Sequence, residues 1–195
     1  MADHMTYPDY QALLSGPLEP YYRGRWVYYK EVLTLLQGLS LSTILEIGPG
    51  GRPLVKSADL ILDPQDKQFG TPAPSTGRTI FHDVTRKPWP IADNAYDMVI
   101  ALQVWEHLYN NQTRALRELR RIAKRAILSF PHRWESGKAK FMHRLHRGID
   151  RELIRDWTLN IPPTKEIEIP RAGPEFSKGP RLIWYWDWTS APADP

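Results

Sequence analysis

At 195 residues, with 42% hydrophobic and 25% charged residues, the chain holds enough apolar material for one compact domain and too much for a disordered one. It contains no cysteine, which excludes disulfides, thiolate metal sites and cysteine nucleophiles together. A net charge of +4 admits an anionic partner without requiring one. No apolar run suits a membrane span, and Met1-Ala2-Asp3-His4 lacks a basic-then-apolar leader, so the cytoplasm is the expected location.

Residues 1–20, rich in proline, tyrosine and glycine over Tyr7 to Pro20, lack periodicity and are expected to form an irregular arm. Tyr22, Trp26, Tyr29, Leu33 and Leu36 then trace one helical face, predicting a helix over 21–38 with Gly38 at its C-terminal cap. Ile44-Leu45-Glu46-Ile47 reads as a buried strand running into the turn Gly48-Pro49-Gly50-Gly51. Glycine lets the backbone approach a ligand closely, and the carboxyl end of a parallel strand faces the ligand crevice. Pro53 could open a helix, but so few residues separate Gly51 from Asp63 that this helix has room for barely two turns.

Leu60-Ile61-Leu62-Asp63 is a second strand ending in a carboxylate, which Pro64 biases towards extended backbone. Residues 64 to 78, with Pro64, Gly70, Pro72, Pro74 and Gly77, read as a loop. Thr79-Ile80-Phe81-His82 is a third strand followed by Asp83-Val84, and 96 to 101 a fourth. Gln112 to Lys124 predicts a helix whose inner face carries Ala115, Leu116, Leu119, Ile122 and Ala123. Ala126 to Phe130 is a fifth strand, and Asp150 can cap a helix reaching Trp157. Lys165 to Ile169 and Arg181 to Trp188 alternate as two strands, and Ser190 to Pro195 are expected to fray.

A carboxylate after a second strand can accept hydrogen bonds from both hydroxyls of a ribose, so the glycine turn and Asp63 together suit a nucleoside cofactor. A dinucleotide fingerprint starting at Gly48 would need glycine at position 53, where Pro53 stands. The pattern Glu46-Ile47-Gly48-Pro49-Gly50 instead resembles the first motif of class I S-adenosylmethionine-dependent methyltransferases, departing from it at the third glycine, where Gly51-Arg52 stands. Trp89-Pro90-Ile91-Ala92-Asp93-Asn94-Ala95-Tyr96-Asp97-Met98-Val99, with the trailing Glu106-His107-Leu108, is similar to the fourth-strand region of the type 11 branch. The resemblance implies an α/β, Rossmann-like, seven-stranded and mostly parallel sheet with an antiparallel C-terminal hairpin, here with a shortened helix after strand one. One domain would span 1–195, its core sheet and helices at 43–188. It also implies S-adenosylmethionine as cofactor, cradled by Glu46, Gly48 and Gly50, held at the ribose by Asp63, at the adenine by Asp83 and Val84, and lined by Leu102 and Gln103. Arg25 could pair with the cofactor carboxylate, and Tyr21 could form part of a lid.

The expected chemistry is in-line transfer of the methyl group to oxygen or nitrogen of a small metabolite or sugar-containing precursor, accelerated chiefly by alignment. Where the acceptor must lose a proton, His107 after strand four and His132 after strand five are the candidate bases; either could equally be structural, with Glu106 and His107 bracing the connection. His143 and His146 share a helical spacing but no carboxylate completes a set, so no metal is expected. The basic stretch His132 to Arg151 is either a solvated surface or a seat for an anionic acceptor; nucleic acid is disfavoured by the low overall charge. The thin cover after strand one leaves the N-terminal helix or a second protomer in a homodimer to shield the sheet. A different class of function fits the same residues: a cofactor-binding module without transfer activity, serving as a partner subunit.

Overall fold

A computed structural model describes residues 3–65, 75–134, 148–170 and 179–189. Seven short strands, β1 (Ile44–Ile47), β2 (Asp59–Leu62), β3 (Thr79–Phe81), β4 (Met98–Leu102), β5 (Arg125–Pro131), β6 (Lys165–Ile169) and β7 (Arg181–Asp187), form one sheet in the order β3-β2-β1-β4-β5-β7-β6. Strands β1 to β5 pair in parallel, and β7 runs antiparallel to both β5 and β6. The expected C-terminal hairpin is therefore present. The strand order reverses between β1 and β4, and the crevice beyond the carboxyl ends of such a pair is where α/β sheets bind ligands.

Continuous apolar strands are buried on both faces, and alternation sends their side chains to two separate cores. Leu45, Ile47, Val99, Ala101, Leu128 and Phe130 pack with Leu116 and Leu119 of α4 (Gln112–Ile122), Ile154 of α5 (Arg151–Trp157), and the indoles of Trp89 and Trp105. Ile44, Leu60, Met98, Ile100 and Ile127 pack on the other face with Tyr10 of α1 (Tyr7–Leu13), Tyr22 of α2 (Glu19–Tyr22), and Tyr28, Tyr29, Val32 and Leu36 of α3 (Trp26–Leu36).

Three departures from the sequence reading concern this second face. The arm contains α1, whose start is fixed by a capping box: Thr6 and Asp9 exchange side-chain and backbone hydrogen bonds, and Pro8 sits in the first turn. The helix expected over 21–38 is broken between Tyr22 and Trp26, where Gly24 adopts left-handed backbone at φ 72° and ends one segment before the next begins. After β1 no helix forms at all. Residues 48–58 run as a loop whose course is set by pairing with the N-terminal segment: Met5 N–H donates to Leu54 O at 2.8 Å and Lys56 N–H to Asp3 O at 2.7 Å. The chain's own helices α1 to α3 thus cover the face left thin after β1. No helix among the described residues is long and apolar enough to cross a membrane.

Candidate cofactor cleft and acceptor site

The cleft opens where β1 ends. Gly48 and Gly50 both take left-handed backbone, at φ 59° and 70°, a conformation that costs other L-residues about 1–2 kcal/mol. Space is closed to a side chain as well: a Cβ on Gly48 would lie 3.0 Å from Val104 Cγ2, and one on Gly50 would lie 2.7 Å from the Tyr21 hydroxyl. The turn is therefore shaped so that bare backbone faces the cleft, which is lined by Tyr21, Tyr29, Gly48, Arg52, Ile100 and Leu102.

Glu46 sits beneath this turn, 3% exposed, with both carboxylate oxygens engaged: Leu54 N–H donates to one at 2.9 Å and Val55 N–H to the other at 2.5 Å. Burial pushes its carboxyl up to about 7 against these two donors. Its role in the fold is to hold the loop that replaces the expected helix.

Asp63 is exposed one residue past β2, and one of its oxygens accepts from Gln65 N–H at 2.8 Å. Asp83 follows β3 and accepts from Thr85 N–H at 2.9 Å and the Thr85 hydroxyl at 2.7 Å, with Arg86 3.3 Å away; the Thr85 hydroxyl above all holds its carboxyl below the ordinary value. The Val84 carbonyl accepts from the Trp89 indole at 3.2 Å. Leu102 ends β4 at the cleft wall, and Gln103 behind it takes φ 59°, rare for a residue with a side chain. Ser129 on β5 supports that conformation by accepting from Gln103 N–H through its hydroxyl at 3.1 Å. Gly48, Gly50, Asp63, Leu102 and Gln103 therefore lie at the carboxyl ends of three adjacent strands, β1, β2 and β4.

Beyond β4 a 3-10 turn, Trp105–His107, carries Glu106 inward at 4% exposure. The half-buried His107 places Nε2 3.9 Å from Glu106 Oε1. Burial pushes the Glu106 carboxyl up to about 8, although its own backbone N–H, Arg25 and Arg181 pull the other way. Arg25, 7% exposed, lies 3.6 Å from the Tyr21 ring centroid, donates from Nε to Tyr21 O at 2.7 Å, and reaches the Tyr28 hydroxyl through Nη1. Its Nε and Nη1 thus engage α2 and α3, and it anchors Tyr21 over Gly50.

His132 is not part of this group. It is 2% exposed beside an ion-pair cluster in which Arg151 donates to Glu166 at 2.8 Å and Glu168 at 2.6 Å; its own Nδ1 lies 3.6 Å from Glu168. Burial and the Arg151 charge push its pKa down. Sequence reading gave Glu106 only a bracing role and Arg181 none; a charged residue directly before the apolar run Leu182 to Trp186 was the one signal available for Arg181. Among the described residues no group of three or more His, Asp or Glu side chains could hold a metal ion. His143, His146 and the centre of the basic stretch lie outside the described residues.

The fold is shared with several solved methyltransferases. The N-methyltransferase NodS from Bradyrhizobium japonicum WM9, in complex with S-adenosyl-L-homocysteine, matches with TM-score 0.60 and 14% identity over 94% of this chain and 98% of its own. The methyltransferase domain of bacterial CtHen1 matches with TM-score 0.60 and 12% identity over 84% of this chain and 98% of its own. A possible histamine N-methyltransferase from Thermotoga maritima matches with TM-score 0.57 and 16% identity, covering 88% and 96%. Residues 65–126 match the family model Methyltransf_11, a methyltransferase domain. The chain has the fold of class I S-adenosylmethionine-dependent methyltransferases. The matched segment contains β3, β4, the Glu106-His107 turn and α4, and excludes the glycine turn. No curated protein matches the sequence. The side-chain-free cradle at Gly48 and Gly50 has the form that a ligand approaching backbone requires.

Proposed function

We propose that this chain is an S-adenosylmethionine-dependent methyltransferase that moves a methyl group to oxygen or nitrogen of a small metabolite or sugar-containing precursor. The observation that supports this is the partial cover of the crevice: Tyr21 of α2 and Tyr29 of α3 line it, with the Tyr21 hydroxyl against Gly50 and Arg25 stacked on Tyr21, a setting that suits a small acceptor. The names of two similar structures, an N-methyltransferase and a possible histamine N-methyltransferase, support nitrogen as one acceptor atom.

In this reading the Gly48–Gly50 backbone and Leu102 hold the cofactor's amino-acid end, Asp63 accepts from the ribose hydroxyls, and Asp83 with Val84 lies at the adenine. S-adenosylmethionine supplies an electrophilic methyl group to be attacked in line. The protein's part is alignment, because fixing nucleophile and methyl near contact distance removes most of the entropic barrier. His107, in the turn that follows β4, takes the acceptor's proton where one must leave, with Glu106 beside it able to hold a proton near neutral pH. His132, facing Glu168 and Arg151, is a positioning residue for β6 and α5 in this account.

The second reading, a cofactor-binding partner subunit without transfer activity, draws on the missing helix after β1. A similar structure is the complex of the Haloferax volcanii Trm112 methyltransferase activator with a putative methyltransferase (TM-score 0.59, 12% identity). Incubation of the full chain with methyl-labelled cofactor and a metabolite extract separates the two. Label in a small product is expected; retained cofactor binding with no labelled product would establish the second reading instead.

A further inference from the structure

Arg181 opens β7 opposite Pro131 and Ile169, at the edge of the sheet where β5 ends. It is 4% exposed, and its Nε has no hydrogen-bond partner among the described residues. A buried donor on a charged group is expensive to leave unmade, so such an atom marks a place where an acceptor belongs. The guanidinium lies over two rings, with Cζ 4.8 Å from the Tyr28 centroid and 5.1 Å from that of Trp134. Tyr28 is shared: the buried Arg25 donates to its hydroxyl.

Two permanent cations therefore flank one buried tyrosine, and the carboxylate that faces both is that of Glu106, itself beside His107. Among the described residues this leaves a surplus of positive charge in a place shielded from water, where an uncompensated charge is most costly. Burial and the neighbouring Arg25 push the Arg181 pKa down, as an undercompensated guanidinium requires. The cluster adjoins the cleft directly, since Arg25 stacks on the same Tyr21 ring whose hydroxyl overlies Gly50.

We infer that Arg181, backed by the charge of Arg25, is an anion seat beside the cofactor cleft, and that the methyl acceptor carries a carboxylate or phosphate that docks on it. This rests on the reading of the crevice as a small-molecule transfer site. The planar guanidinium, oriented by Tyr28 and Trp134, favours a planar or trigonal array of oxygens over a neutral hydroxyl. Docking there fixes one end of the acceptor and presents its nucleophile towards β4. The cofactor's own carboxylate is the other source of the same chemistry.

The test uses the full chain saturated with S-adenosylhomocysteine, with inorganic phosphate and acetate as probes and chloride at equal ionic strength as control. Either anion is expected to raise the melting temperature of the wild type beyond the chloride effect. Arg181→Met should weaken that response at least tenfold while changing S-adenosylhomocysteine affinity less than twofold, and Arg181→Lys should restore part of it. Equal anion responses in wild type and Arg181→Met would overturn the seat. A tenfold loss of S-adenosylhomocysteine affinity in Arg181→Met, with phosphate competing against the nucleoside, would assign Arg181 to the cofactor and overturn the acceptor assignment. Failure of the wild type to bind S-adenosylhomocysteine would refute the wider reading of the cleft, a result distinct from either.

Discussion

Gly50→Ala tests the shape of the cleft through two separable costs. Alanine at φ 70° carries about 1–2 kcal/mol of backbone strain. Its Cβ would also lie 2.7 Å from the Tyr21 hydroxyl and 3.0 Å from Tyr21 Cε1 and Cζ, an overpacking cost of about 1–3 kcal/mol. Urea unfolding should therefore show a loss of about 2–5 kcal/mol in the wild-type background. In a Tyr21→Ala background the clash is gone and about 1–2 kcal/mol should remain, so the cycle yields a coupling of about 1–3 kcal/mol. Affinity for S-adenosylhomocysteine should fall at least tenfold in Gly50→Ala, because the turn relieves its strain by moving the backbone that faces the cleft. Equal losses in both backgrounds would show that Tyr21 does not rest on Gly50. A loss below about 0.5 kcal/mol would show that the left-handed turn is not required.

Glu106 gives a pH signature. Its folded pKa of about 8 lies above the ordinary 4.5, so the folded state binds the proton more tightly and stability falls as pH rises from about 4.5 to 8, by up to about 1.4 kcal/mol per unit. Glu46, raised to about 7, adds to the slope only below that pH. Melting temperature measured between pH 7 and 8 should therefore decline in the wild type and flatten in Glu106→Gln; an unchanged slope would place the titration elsewhere. His107→Ala should lower turnover about a hundredfold or more for an acceptor that loses a proton, with S-adenosylhomocysteine affinity unchanged. Equal turnover would leave alignment alone as the source of rate.

Much of the sheet was legible because buried parallel strands are short apolar runs bounded by glycine, proline or a carboxylate, as at Ile44 to Ile47 and Leu60 to Asp63. The motif that carries the family resemblance turns out to be largely structural. Asp97 accepts from Ser42 N–H and Thr43 N–H at 2.8 and 3.2 Å and pairs with Lys124, fixing the entry to β1. Trp89 N–H donates to Glu118 at 2.8 Å, tying the same motif to α4. Helix α1 was missed because its evidence is local, one Thr6–Asp9 box ahead of a short helix, and seven residues cannot show sustained periodicity. The fate of Glu46 was illegible for a different reason: its partners are the backbone amides of Leu54 and Val55, and no sequence pattern announces an acceptor for amides in a loop that was expected to be helical. The seat around Arg181 joins α3, the turn after β4 and the start of β7, a juxtaposition that only the sheet order creates.

Calorimetric titration of S-adenosylhomocysteine into the wild type and Asp63→Ala, side by side, tests the cofactor cleft most directly. Charge-assisted hydrogen bonds contribute about 1.5–3 kcal/mol, and every 1.4 kcal/mol is about tenfold in affinity. The account predicts saturable binding to one site in the wild type and about 10- to 100-fold weaker binding in Asp63→Ala. Equal affinity in the two proteins would contradict the placement of the ribose at the end of β2, and no binding by the wild type would contradict the cleft as a whole.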